Sequence, residues 1–262
     1  MPRGVITLAT DFGLRDPWVG TMKGVILSVT RDVHLVDLTH EIAPHDVLEG
    51  ALALETAVPF FPEGTIHLAV VDPGVGGARR ALVVAWGECC FVGPDNGLFT
   101  PFLLAPGWRA FELTAAEYRR PEVSRTFHGR DVFAPAAAYL ALGVFPERFG
   151  AEVTDPVVLP WPAPRAVPGG LAGEVVHVDR FGNLITSIPA GDVEAAAAVV
   201  VGGRELPLVG AYAEIGRGAA AGLVGSSRRL EIAVREGSAA AALGIGRGAP
   251  VEVRTRSSST KK

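Results

Sequence analysis

The sequence predicts an α/β protein in two parts: an N-terminal layered α/β, Rossmann-like domain and a C-terminal all-β, barrel-like domain. Three observations carry this. Over the first 150 or so residues, short β-branched runs alternate with amphipathic stretches. Five prolines then crowd into the stretch PVVLPWPAPRAVP at 156–168, followed by Gly169 and Gly170. Beyond them only short, glycine-punctuated strand-like runs remain.

In chain order, strands are expected at Val5 to Ala9, Val33 to Leu38, Thr65 to Val71, Leu82 to Trp86 and Cys89 to Val92. Helices are expected at Trp18 to Val29, Val47 to Val58 and Asp131 to Leu142, where apolar residues recur at helical spacing. That rhythm implies a largely parallel sheet over residues 1–155. The proline-rich stretch, 156–170, reads as a linker, because proline removes backbone donors and stiffens the chain into extended forms. The second domain, 171–256, has strand-like runs at Gly173 to Val178, Leu184 to Ile188, Ala197 to Val201, Arg229 to Val234 and Val251 to Arg254. The polar tail 257–262 is expected to be disordered.

Composition excludes several function classes. With 24 Lys plus Arg against 28 Asp plus Glu in 262 residues, the net charge of −4 offers no general attraction to nucleic acid or acidic lipid. The apolar runs fall far short of the roughly 20 residues of a membrane-spanning helix. The N-terminus lacks the apolar core and cleavage site of a signal peptide, so a cytoplasmic protein is expected. Cys89 and Cys90, adjacent on a strand, point to opposite faces and are expected to pack rather than to pair.

Candidate chemistry lies at element ends. Asp11, in Thr10-Asp11-Phe12-Gly13, follows the first strand, where open α/β sheets place ligands; capping of the next turn is the alternative. The letters D-F-G match a kinase motif, but the catalytic and glycine-rich loops that should precede it are absent. In VVDPGVGGARR, at 70–80, Asp72 ends a strand and a glycine-rich turn can fold Arg79 back toward it, as a functional pair or a structural salt bridge. The glycines are not a dinucleotide loop, since a strand rather than a helix follows. His128, in Phe127-His128-Gly129-Arg130-Asp131, falls at a helix N-terminus, so an acid, a guanidinium and an imidazole can converge on one small molecule. No metal site is expected, because His40-Glu41 and His45 lack zinc-ligand spacing and Pro44 interrupts them. In the second domain Asp179-Arg180-Phe181-Gly182-Asn183 and Gly225-Ser226-Ser227-Arg228 read as exposed polar turns or as ligand contacts.

These blocks, in this order, resemble the S-adenosyl-L-methionine hydroxide adenosyltransferase family, relatives of halogenating enzymes that act on the same substrate. The resemblance rests on ATDFGLRDPWVGTMKGVI at 9–26, APHDVLEGA at 43–51, VVDPGVGGARR, GPDNGL at 93–98, TFHGRDVFAPA at 126–136, DRFGN at 179–183 and GSSRRLEIAV at 225–234. It implies hydrolysis of S-adenosyl-L-methionine to adenosine and methionine, with no cofactor. It also implies a homotrimer whose active sites each lie between one subunit's first domain and a neighbour's second. Position by position, it assigns Asp72, Arg79 and His128 to the attacking water, Asp11 to the ribose hydroxyls, Phe181 and Tyr212 to adenine faces, and Asn183 to the base edge. Asp179 and Ser226 match the partners of the methionine ammonium. Ser227 stands where fluorinating relatives have an arginine for the methionine carboxylate, leaving that task to Arg228 or backbone amides. The rival activities are a chlorinase-like halogenase, disfavoured by the Asp72 carboxylate, and a non-catalytic sensor, which would not need the triad.

Overall fold

The computed structural model describes residues 4–194 and 196–255; the 257–262 tail therefore lies outside the described residues. The chain divides into two units, Met1–Pro160 and Trp161–Lys262. The first runs β1 (Val5–Thr10), α1 (Trp18–Val29), β2 (His34–Thr39), α2 (Val47–Ala57), β3 (Ile66–Val70), β4 (Ala81–Trp86) and β5 (Cys89–Pro94). It continues through α3 (Thr100–Leu103), β6 (Trp108–Glu112), α4 (Ala134–Ala141) and β7 (Glu152–Val153).

One seven-stranded sheet has the order β2-β1-β3-β5-β4-β6-β7. The expectation of a largely parallel sheet needs correction. β2, β1, β3 and β5 are parallel, but β4, β6 and β7 join antiparallel. The reason is local: only Gly87 and Glu88 separate β4 from β5, with Gly87 at φ 56°, and so short a link permits a hairpin but no crossover.

Both faces of this sheet are covered, giving three layers. On one face Met22, Val25 and Ile26 of α1 and the alanines of α4 pack on Ile6, Leu8, Leu68 and Val83. On the other, Leu54 of α2 and Phe102 of α3 pack on Ala9, Ala69, Leu82 and Val84. Strands buried on both faces read as continuous apolar runs, which is why β1 and β3 were legible.

The expected helix from Asp131 begins differently. Gly129–Phe133 forms a π-helical turn that leads into α4. Pro135 has no N–H to give the Asp131 carbonyl, which accepts instead from Arg120 N at 2.9 Å.

The second unit runs β8 (Arg165–Val167), β9 (Gly170–Val178), β10 (Leu184–Pro189), β11 (Ala196–Val201), β12 (Arg204–Pro207), β13 (Ala220–Val224), β14 (Arg229–Val234), α5 (Ala239–Leu243) and β15 (Pro250–Thr255). Antiparallel pairing follows the path β12-β11-β15-β9-β10-β14-β13, and a bridge between Leu208 and Gly222 links its ends into a nearly closed barrel. Val175, Leu184, Val199, Leu230, Ile232, Val251 and Val253 fill the interior.

The 156–170 stretch is not free linker throughout. Val157 N donates to Asp95 Oδ1 at 2.7 Å and Leu159 N to Thr100 Oγ1 at 2.9 Å, tying its start to the first unit. Its end forms β8, which turns through Pro168 and Gly169 (φ 82°) to pair with β9.

Candidate active site

β1 and β3 are parallel neighbours, with Thr10 opposite Val70, so Asp11 and Asp72 leave the sheet at the same end. Asn96 Nδ2 donates to the Val71 carbonyl at 2.8 Å and fixes the chain just before Asp72. The turn after Asp72 then reverses the chain, with Gly76 at φ 74°. A Cβ on Gly76 would stand 2.2 Å from the Arg125 carbonyl oxygen, so only glycine lets this turn press against the segment leading to His128.

The two consecutive arginines part company. Arg80 turns away, donating to Asp95 Oδ2 and Asp155 Oδ1, both at 2.7 Å. Arg79 folds back, as the sequence allowed: Nε donates to Asp72 Oδ1 at 2.9 Å and Nη2 to Asp72 Oδ2. The same Nη2 stands 2.8 Å from His128 Nδ1. Only 5% of the Asp72 side chain and 11% of the Arg79 side chain are exposed, so this bidentate pair is shielded from solvent screening. The guanidinium also lies over Phe133, 5.2 Å from the ring centroid. Burial, followed by the charge of Arg79, holds the His128 pKa below its ordinary value, although Asp72 opposes the shift.

His128 is held by the loop around it. Asp131, fully buried, accepts from Arg130 Nε and Nη2 at 2.7 Å and from Ser124 N at 2.9 Å, which closes the loop on the π-helical turn. Phe127 meets Phe12 edge to face at 5.8 Å between centroids, so the residue after Asp11 touches the residue before His128. Phe12, Trp18, Ser124, Thr126, Phe127 and Arg130 line an open cleft of about 370 Å³. All of these but Ser124 fall in the 9–26 and 126–136 blocks, but nothing in the sequence marked them as one wall, because the ring contacts of Phe127 with Phe12 and Trp18 join residues over 100 positions apart.

Asp11 itself makes no direct bond to the triad; its Oδ2 accepts from His45 N at 2.8 Å. Among the described residues no group of three or more His, Cys, Asp or Glu is arranged to hold a metal ion.

In the second unit, Asp179 organises its own turn. Oδ1 accepts from Phe181 N at 2.9 Å and Asn183 N at 2.8 Å, and Oδ2 accepts from Asn183 Nδ2 at 2.9 Å. Gly182, at φ 80°, makes this turn possible and leaves the Phe181 ring 77% exposed. Asn183 is buried with its amide nitrogen committed, so its Oδ1 remains as an acceptor.

Tyr212, half exposed, donates its hydroxyl to Glu231 Oε1. Burial and then the Glu231 carboxylate push the Tyr212 pKa well up, so the phenol keeps its proton. Glu231 is buried and its pKa is raised mainly by that burial. Sequence reasoning missed it, since a glutamate within a strand reads as solvent-facing. In the 225–228 turn Ser226 and Arg228 are exposed, Arg228 at φ 59°, while Ser227 Oγ is buried without a hydrogen-bond partner.

Residues 6–150 match the family model for the SAM hydroxide adenosyltransferase N-terminal domain, and residues 173–252 match that for its C-terminal domain. A protein named (R)-S-adenosyl-L-methionine hydrolase from Thermus thermophilus is 47% identical over 253 residues, covering 93% of this chain and 97% of the relative. Another of that name from Salinispora tropica is 39% identical over 250 residues, covering 93% and 95%. A fluorinase from an Actinoplanes species is more distant, 30% identical over 251 residues, with coverage of 81% and 84%. A solved structure of an uncharacterized conserved protein from Thermotoga maritima aligns with a TM-score of 0.88 and 35% identity over 95% of this chain and 99% of that one.

Proposed function

The chain belongs to the SAM hydroxide adenosyltransferase family, and we propose that it hydrolyses S-adenosyl-L-methionine to adenosine and L-methionine by in-line attack of water at the ribose 5′-carbon. The observation that carries this reading is the shielded Asp72–Arg79–His128 set.

The leaving group sets the demands on the site. Breaking the C5′–S bond returns an electron pair to a sulfonium and releases a neutral thioether, so no acid is required. The difficulty lies with the nucleophile, because bulk water is weak and holds its proton with a pKa near ~15.7. That pKa falls steeply as the new C–O bond forms, so a carboxylate that accepts the proton during attack is sufficient.

The hydrogen bonds divide the labour. Arg79 carries only donors, so the His128 nitrogen facing it has a lone pair, and the neutral ring bears its hydrogen on Nε2. His128 Nε2–H donates to the water oxygen and orients it, while Asp72 accepts the proton that is lost. Arg79 holds both in place and stabilises the negative charge that develops on oxygen. Positioning of this kind can contribute ~7–11 kcal/mol, so the reading routes no step through a cofactor.

Asp11 is assigned to the ribose hydroxyls. In the second unit, the exposed Phe181 ring and Tyr212 are assigned to the adenine faces and Asn183 Oδ1 to the base edge. The methionine end is assigned to Asp179 and Ser226 for the ammonium and to the unpartnered Ser227 Oγ, with Arg228, for the carboxylate. The reading extends to a homotrimer in which different subunits supply the two sets, and to a cytoplasmic setting. No helix among the described residues is long and apolar enough to cross a membrane.

Reaction in oxygen-18 water with chloride present tests the proposal. The expected products are methionine and adenosine labelled at the 5′-oxygen. A 5′-chlorinated nucleoside as main product would make the chain a halogenase, against the repulsion expected between Asp72 and a halide. Binding without turnover would make it a sensor.

A further inference from the structure

Outside the triad, the first unit contains a second polar chain that runs from its surface to the Asp11 turn. Lys23 Nζ, on α1, donates to Asp37 Oδ2 at 2.6 Å. Asp37 Oδ1, on β2, stands 3.0 Å from His40 Nε2, off the line of a well-aligned hydrogen bond but well within electrostatic reach. His40 Nδ1 lies 2.8 Å from Thr10 Oγ1, the last residue of β1. Thr10 Oγ1 in turn accepts from Phe12 N at 3.2 Å.

The chemistry of the end groups gives this chain a direction. A carboxylate offers only lone pairs, so the His40 nitrogen facing Asp37 carries hydrogen. The Asp37 pKa lies below its ordinary value: burial works to raise it, but the nearby Lys23 and His40 together outweigh that. In the tautomer with its hydrogen on Nε2, Nδ1 is bare and accepts the Thr10 hydroxyl. The Thr10 oxygen then turns its lone pairs to the Phe12 amide. His40 also holds the far side of the turn, its carbonyl accepting from Gly13 N at 2.7 Å, with Gly13 at φ 65°.

The turn bearing Asp11 is therefore gripped at both ends by one residue whose side chain is only 1% exposed. A histidine that merely filled the core would need apolar neighbours, not a directed polar chain ending in a surface ion pair. We propose that His40 is a positioning residue: braced by Asp37, it fixes Thr10 and the 11–13 turn so that the Asp11 carboxylate is preset for the substrate diol. The inference rests on the assignment of Asp11 to ribose.

Thr10→Val removes the hydroxyl at nearly constant shape, and kinetics on this variant decide the matter. The expected result is a KM raised roughly 2–10-fold, the scale of one net hydrogen bond, with kcat little changed. His40→Leu should give a larger rise and His40→Asn, which restores a polar atom near Nδ1, a smaller one. If Thr10→Val lowers only the melting temperature and leaves KM unchanged, the chain is structural and the inference is overturned. Calorimetry on Asp11→Ala separates the two levels. Unchanged affinity there removes the ribose assignment, and this inference with it. Weakened affinity in Asp11→Ala beside a normal KM in Thr10→Val removes the positioning role alone. Should His40→Leu fail to fold, the Thr10→Val result stands by itself.

Discussion

Arg79 Nη2 donates to His128 Nδ1 at 2.8 Å, which settles where the imidazole hydrogen lies. A guanidinium cannot accept, so the neutral ring is the Nε2–H tautomer. Its pKa is lowered by burial and by Arg79, so the midpoint of its protonation in the folded state lies below the ordinary histidine value.

Nitrogen NMR of His128 should therefore show the neutral Nε2–H form at neutral pH, with a midpoint below that of an ordinary histidine. Activity should decline as pH falls through that midpoint, as a second cation forms beside Arg79. An activity limb that rises with pH above 7 and tracks His128 titration would contradict the assignment. Arg79→Lys, which loses the two-pronged grip, should reduce kcat by about 10²–10³, the scale for a lost charge-stabilising donor.

Variants of the two classes of residue should behave differently. Asp72→Asn and His128→Ala should depress turnover strongly with substrate affinity nearly intact, because groups that meet only the water act in the transition state. Asp11→Ala should weaken binding by about 1–3 kcal/mol. Phe181→Ala should weaken it by about 1–3 kcal/mol through lost stacking, with little effect on folding since the ring is largely exposed. Calorimetry and adenosine release on the same variants check this; equal affinity loss throughout would refute the roles.

Gly76→Ala should lower kcat without touching any triad side chain. Its Cβ would collide with the Arg125 carbonyl, and alanine is strained at φ 74°. Either the 72–80 turn or the loop before His128 must move, which separates Arg79 from His128. A crystal structure with an unchanged Arg79–His128 contact would show this account to be wrong.

His67 should make the protein acid-sensitive. It is fully buried, stacks on Phe91 at 5.1 Å, and bonds Thr7 Oγ1 at 2.8 Å while its Nε2 has no partner. Burial lowers its pKa to about 4. The unfolded chain, with an ordinary value near ~6.5, thus binds the proton first, and stability is lost as pH falls from about 6.5 toward 4. Between pH 7 and 5 this one group should remove on the order of 2 kcal/mol, read from urea midpoints. His67→Phe should shrink the difference between those two pH values; an unchanged difference would assign the acid sensitivity elsewhere.

The parallel strands and the helices α1, α2 and α4 of the first unit were legible because burial on one or two faces leaves a periodic signature in the chain itself, as in β1, β3 and α1, whereas the four-residue α3 is too short to leave one. β6 and β13 were missed: each is five residues long, and neither sets itself apart from its flanking turns by composition. The ordered blocks around Asp11, Asp72, His128 and Phe181 likewise marked candidate site residues, since the residue types and their places at element ends are local properties.

What the sequence by itself determined was therefore the two-part α/β and all-β plan, the family, and the residue types available for chemistry. Tertiary structure alone decided their pairings. Arg79 turns to Asp72 while Arg80 turns to Asp95, although the two arginines are neighbours with the same side chain. His40, read from spacing only as a non-ligand for metal, lies buried beneath the Asp11 turn. Glu231, on a strand, receives the Tyr212 hydroxyl. Each of these depends on which distant groups share a buried volume. Hydrogen bonds and desolvation act at a few ångströms in space, whereas sequence patterns report only what lies a few residues away along the chain.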